Sequence, residues 1–252
     1  SDVDIISLDD LCLRRIEGEE IDKLVKRAMG QKIRLDEDIV DTEFVVEKKL
    51  VKRSDLVKWT EKSQNVINII LALRLLKPGE LYATTAFWMD STNRLIHVTN
   101  TSPIANAYPD SYFLKQEEIG EFAELWKKLQ RVERGEKSYL LFALEQFSES
   151  FYNPREHLVD YISAFESIVF HRGKKAPRPY GRTIGIAIAM LLGKNEKERT
   201  KIENDLMEAY ELRNRIVHGH LKIQKHYEKS ITKLFIRVED YLRRSVRRFL
   251  EE

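Results

Sequence analysis

The sequence predicts an α+β chain that is mainly α, with an N-terminal α+β domain over residues 1–135 and an all-helical bundle over residues 138–252. Three observations carry this division. Strand-like runs of β-branched residues lie in the first hundred residues, whereas apolar residues recur at helical spacing from Gln116 onward. Between Arg131 and Ser138 the polar ERGEK segment breaks the pattern.

In chain order, IDKLVKRAM (21–29) reads as a short helix ending at Gly30, and TEFVVEKKLVK (42–52) as a strand. Ser54 caps a helix whose stripe runs through Leu56, Trp59, Val66, Ile70 and Leu73 and stops at Pro78-Gly79. LYATTAFW (81–88), the turn DSTN and RLIHVTN (94–100) form a hairpin pattern. Trp59, Phe87, Trp88 and Trp126 are expected core aromatics. QEEIGEFAELWKKLQRV places Ile119, Phe122, Leu125 and Leu129 on one helical face. Further helices are expected near 139–152, 154–170, with Pro154 at the first position, 182–192, 196–218 and 224–250. The third of these is apolar all round and is expected to be buried on every side. The last carries Tyr227, Ile231, Leu234, Val238, Leu242, Val246 and Phe249 at three-to-four spacing, a stripe that favours a homodimer.

Composition narrows the function classes. Of 252 residues, 42% are hydrophobic and 33% charged, enough to bury a core. There is no run of 18 apolar residues, so no membrane partner is expected, and the acidic start SDVDIISLDD lacks a signal pattern, which predicts a cytoplasmic protein. The single Cys12 excludes an internal disulfide framework and a cysteine-based zinc cluster. No HExxH, P-loop or GxGxxG occurs, so neither a metal nor another cofactor is expected. The net charge of +2 conceals an asymmetry: residues 171–252 hold 20 Lys/Arg against 11 Asp/Glu, and residues 1–170 hold 23 against 30. Either the C-terminal part faces a polyanion, or two oppositely charged halves dock on each other.

The most informative stretch is ELRNRIVHGH (211–220). Leu206, Tyr210, Arg213 and Val217 share one helical stripe, so an arginine stands where an apolar residue is expected. Asn214 and His218 share a face about 100° further round the helix. Arginine offers a fork of donors that fits phosphate oxygens, histidine titrates near neutrality, and asparagine can orient either of them. The same residues also suit a plain helix ending, with Gly219 after the cap and a cation near the negative end of the dipole.

RNRIVHG resembles the signature of the HEPN superfamily, an Arg followed by a polar residue and, after four intervening residues here, a His. LVDYISAFESIVF resembles the first long helix of Apea-like HEPN domains, and IAIAMLLG followed by a capped polar helix resembles their order. The resemblance spans roughly residues 138–252. It implies a HEPN-like helical bundle that pairs as a homodimer, and a metal-independent endoribonuclease or RNA-cleaving effector of defence or toxin systems. It further implies that His218 is the acid/base, that Arg213 holds the phosphoryl oxygens and that Asn214 positions. The alternative is a non-catalytic HEPN module binding nucleotide, RNA or a protein partner. Members modified by a partner nucleotidyltransferase carry Tyr two residues after the His, where this chain has His220.

Glu166 completes the candidate catalytic set. Its spacing from Ile162 and Val169 turns it inward or onto a helix partner, where Arg213 is the natural cation that it would orient; the alternative is a surface-facing group of no consequence. For RNA contact the acid-free loop HRGKKAPRPYGR offers Arg172, Lys174, Lys175, Arg178 and Arg182, with Tyr180 available to stack on a base. Arg243, Arg244, Arg247 and Arg248 form a second basic cluster that either contacts nucleic acid or flanks a helix–helix contact.

Overall fold

In a computed structural model of the chain, the residues described are 5–8, 11–15, 19–20, 23, 26, 44–48, 59–79, 85–89, 95–100, 112–132, 138–149, 157–171, 179–219 and 228–251, and they are mainly helical. The chain divides into two compact units, one of Ser1–Ile70, Leu81–Pro103 and Tyr112–Glu124, the other of Leu71–Glu80, Ile104–Ser111 and Leu125–Glu252. No helix among the described residues is long and apolar enough to cross a membrane.

The first unit holds the strands. β1 (Ile5–Leu8), β2 (Leu11–Arg15) and β3 (Phe44–Lys48) form an antiparallel sheet in that order, with Ile6 opposite Leu13 and Leu13 opposite Val46. β3 lies within the strand expected at 42–52, whereas β1 and β2 are too short for an alternation to stand out in the sequence. β4 (Thr85–Met89) and β5 (Leu95–Asn100) pair as the expected hairpin, with a register shift at Trp88/Met89. Its turn, the cap at Ser54 and the side chains of Trp59, Phe87 and Trp88 lie outside the described residues. Two helices, α1 (Trp59–Leu76) and α2 (Ile119–Val132), each contribute residues to both units.

The second unit is built on α3 (Ser138–Glu149), α4 (His157–Phe170), α5 (Tyr180–Leu192), α6 (Glu196–Val217) and α7 (Glu228–Glu251). Leu140, Phe147, Leu158, Phe165, Ile184 and Leu206 are among its fully buried core residues, as is Trp126 nearly so. In α7 the apolar stripe at Leu234, Val238, Leu242 and Val246 is buried within this one chain. That corrects the use of the stripe as an argument for a homodimer, because the bundle itself consumes it.

A second correction concerns α5. Ile184, Ile188 and Leu192 are buried at four-residue spacing, but Ile186 and Met190 are 44% and 62% exposed. An all-apolar helix is covered on every side only when neighbours surround it, and α5 packs chiefly on α6. The two helices run antiparallel and approach closely. A Cβ on Gly181 would sit 2.9 Å from Tyr210, and one on Gly185 would sit 3.0 Å from the Glu203 carbonyl oxygen. The helix caps follow the sequence. Asn195 accepts from the Glu198 N–H at 2.9 Å, and Gly219, at φ +70°, ends α6 with its N–H on the Ile216 carbonyl.

Charged groups inside this unit tie its helices together. Arg243, 3% exposed, binds Glu239 at 2.7 Å and donates through Nε to the carbonyl of Arg74 at 2.7 Å. Tyr161 donates to the other Glu239 oxygen at 2.9 Å. Arg74 donates to the Phe147 carbonyl and lies over the Phe147 ring at 4.4 Å. A separate link joins α6 to α7, where Asp205 accepts two hydrogen bonds from Arg237 and one from Tyr241, all at 2.8 Å. Arg237 stabilised by this carboxylate is held above its ordinary value, and burial followed by the Asp205 hydrogen bond raises the Tyr241 phenol strongly.

Arg243→Met would leave Glu239 buried without its cation, and urea unfolding should show a loss of about 3–5 kcal/mol. His157 yields a pH effect of definite sign. Burial first, opposed by Glu239 and aided by Arg74, lowers its imidazole to about 4, and its Nε2 finds no hydrogen-bond partner among the described residues. The unfolded chain therefore binds the extra proton between about 6.5 and 4, so stability is full above that window and falls as pH drops through it. The loss should reach at most about 3 kcal/mol. Urea midpoints from pH 7 to pH 4 should slope less steeply in His157→Leu than in the wild type.

Candidate functional site

The end of α6 places Arg213, Asn214 and His218 on its last turns. Arg213 Nη1 donates to Asn214 Oδ1 at 3.2 Å, so a side-chain hydrogen bond spans the 100° that separates the two on the helix. The guanidinium carbon stands 6.0 Å from the centroid of the Tyr210 ring, one turn earlier, at the outer reach of a cation–π contact. Arg213 Nε is buried and finds no hydrogen-bond partner among the described residues. Nη1 is fixed on its neighbour and Nε is enclosed, so an acceptor from outside the protein would have to reach the guanidinium through Nη2, which makes no hydrogen bond with any described residue.

His218 is the C-cap of α6. Its backbone N–H donates to the Asn214 carbonyl at 3.0 Å, while the residue itself is exposed. The helix ending expected from the sequence is therefore present. It is compatible with chemistry, because the cap uses the backbone of His218 and the glycine that follows.

Glu166, on α4, is half-buried, and no ion pair joins it to Arg213. This corrects the pairing expected between them. Both groups act instead on Tyr210, whose phenol is raised by burial first, then by Glu166, with Arg213 opposing and Tyr180 adding slightly. Tyr180 opens α5 and meets Phe170 with ring centroids 5.9 Å apart and planes tilted by 59°. The site therefore gathers α4, the start of α5 and the end of α6. Tyr210, visible in the sequence only as a member of an apolar stripe, stands among them.

Of the expected RNA-contacting residues, Arg182 is exposed on the first turn of α5, 3.6 Å from Glu203. Arg172, Lys174, Lys175 and Arg178 lie outside the described residues. The second basic cluster resolves into helix–helix contacts. Arg243 is buried as above, and Arg247 donates to the Leu76 carbonyl at 3.1 Å. Arg244 reaches the Leu192 carbonyl, Glu198 and Asp240. Arg248 is exposed and pairs with Glu251 at 3.7 Å. Residues four apart share a helical face, which is why Arg243 and Arg247 both turn toward the carbonyls at the end of α1.

The absence of a Glu166 pair makes Arg213 a clean target for substitution. Arg213→Ala removes no ion pair and strands no carboxylate, so urea unfolding should place its stability within about 1 kcal/mol of the wild type. No family model matches the chain, and neither a curated protein nor a solved structure matches it.

Proposed function

We propose that the chain is a HEPN-type, metal-independent endoribonuclease of a defence or toxin system, in which an N-terminal α+β domain precedes a HEPN-like helical bundle. The observation that carries this reading is the Arg213 guanidinium, tethered to Asn214 and without a carboxylate partner among the described residues, on the same helix end as an exposed histidine. In the proposed reaction the ribose 2′-oxygen attacks the adjacent phosphorus and the bond to the 5′-oxygen breaks. His218 takes the 2′-hydroxyl proton or returns one to the leaving oxygen, and Arg213 neutralises charge on the non-bridging oxygens. The products are a 2′,3′-cyclic phosphate and a 5′-hydroxyl. Asn214 fixes the guanidinium, and Glu166 acts on the site through Tyr210. Arg172, Lys174, Lys175, Arg178 and Arg182 would track the RNA backbone, whose affinity would then fall with salt. The protein would act in the cytoplasm as a homodimer, with the exposed Ile186, Met190 and Val217 as apolar surface.

Labelled RNA incubated with the protein should yield cyclic-phosphate ends, equally with and without EDTA. His218→Ala should keep the fold and lower cleavage by about 10²–10⁴. Undiminished cleavage by folded His218→Ala would exclude the assignment. RNA binding without cleavage by the wild type would instead identify a non-catalytic binding module.

A further inference from the structure

Tyr210 is held more firmly than a half-exposed tyrosine needs to be. Its Cβ, Cγ and Cδ1 lie where a Cβ on Gly181 would come within 2.9 Å, so the α5 backbone presses on the base of its ring. On the other side the ring faces the Arg213 guanidinium at 6.0 Å. The hydroxyl makes no hydrogen bond with any described residue, whereas Tyr161 and Tyr241 in this unit donate to carboxylates at 2.9 and 2.8 Å. Burial and the Glu166 carboxylate both keep the phenol protonated, and therefore a donor, to higher pH than usual. A fixed ring thus carries an unused donor beside an arginine whose Nη2 makes no hydrogen bond with any described residue.

Resting on the reading of Arg213 as a phosphate-binding residue, we propose that the Tyr210 hydroxyl is a second hydrogen-bond donor to the same phosphate. Arginine neutralises the charge, and the phenol adds direction. Because Gly181 sets the ring and Arg213 lies across it, the two donors are arranged before any ligand arrives, which reduces the ordering cost of binding. Glu166 restrains the site in the opposite sense, since its carboxylate acts on the phenol and repels an anion.

The test uses a fluorescently labelled 2′-O-methyl decaribonucleotide, which cannot be cleaved through its 2′-oxygen, with binding read by anisotropy for the wild type, Tyr210→Phe, Arg213→Ala and the double variant. Tyr210→Phe keeps the ring against Gly181 and should retain the wild-type unfolding midpoint while binding roughly ten-fold more weakly. The double variant should bind about as weakly as Arg213→Ala alone, because two donors on one phosphate are coupled. Equal binding by Tyr210→Phe and the wild type overturns the proposal, as do fully additive losses or a wild type that does not bind the probe. Binding with the expected Tyr210 effect, but with no cleavage of ordinary RNA, sinks the nuclease reading alone and leaves the phosphate site standing.

Discussion

The antiparallel contact between α5 and α6 is the constraint on which the rest of the second unit depends. It is set by backbone rather than by side chains, since Gly181 and Gly185 let the two helices approach to distances at which a methyl group would collide. That closeness places the start of one helix beside the end of the other. Tyr180, Tyr210 and Arg213 therefore meet although thirty or more residues separate the first from the others. The other helices then complete the layer: α4 brings Glu166, and α7 is bound to α6 through the three donors that converge on Asp205.

Much of this was legible in the sequence, and the parts that were not share a cause. Helix positions, the Asn195 cap, the Gly219 ending and the hairpin strands follow from local rules, which act over a turn or two. The placement of Arg213 and Asn214 near a helix end follows in the same way. Local rules do not reach the choice among neighbours. Arg243 belongs to a run with two readings, nucleic-acid contact or a helix–helix contact, and it takes the second, buried because Glu239, one turn away, and the Arg74 carbonyl, far away in sequence, both accept from it. A carboxylate on an apolar helix asks for a cation, but the sequence does not say which group its charge reaches, and that of Glu166 acts on Tyr210. Composition likewise cannot show which sides of a helix are covered, and Ile186 and Met190 are exposed. Tyr210 sat in the stripe in plain view, but nothing in the sequence marks a phenol that finds no partner.

The interior of this unit is unusually reliant on polar contacts made to backbone carbonyls. Arg243 and Arg247 bind carbonyls at the end of α1, and Arg74 binds one in α3. Each guanidinium satisfies acceptors that a helix leaves open at its C-terminus, so helix ending and helix packing are solved by the same groups. Such contacts are directional and short, and they specify one arrangement of helices more sharply than apolar packing alone.

The last fully buried residue of α6 is Ala209, and the helix runs on to Val217 before the cap at His218. Eight residues at 1.5 Å each carry its end about 12 Å beyond that point. In mechanical terms this end is a lever rooted at Asp205 and Ala209 and steadied by Tyr210 against Gly181, with Leu212, Arg213, Asn214 and Ile216 half-buried along it. An angular play of about 5° at the root becomes roughly 1 Å at the tip, a displacement large enough to change a reaction rate by orders of magnitude. Under the proposed reading, contacts that only stiffen the lever would tune cleavage without touching the reacting atoms.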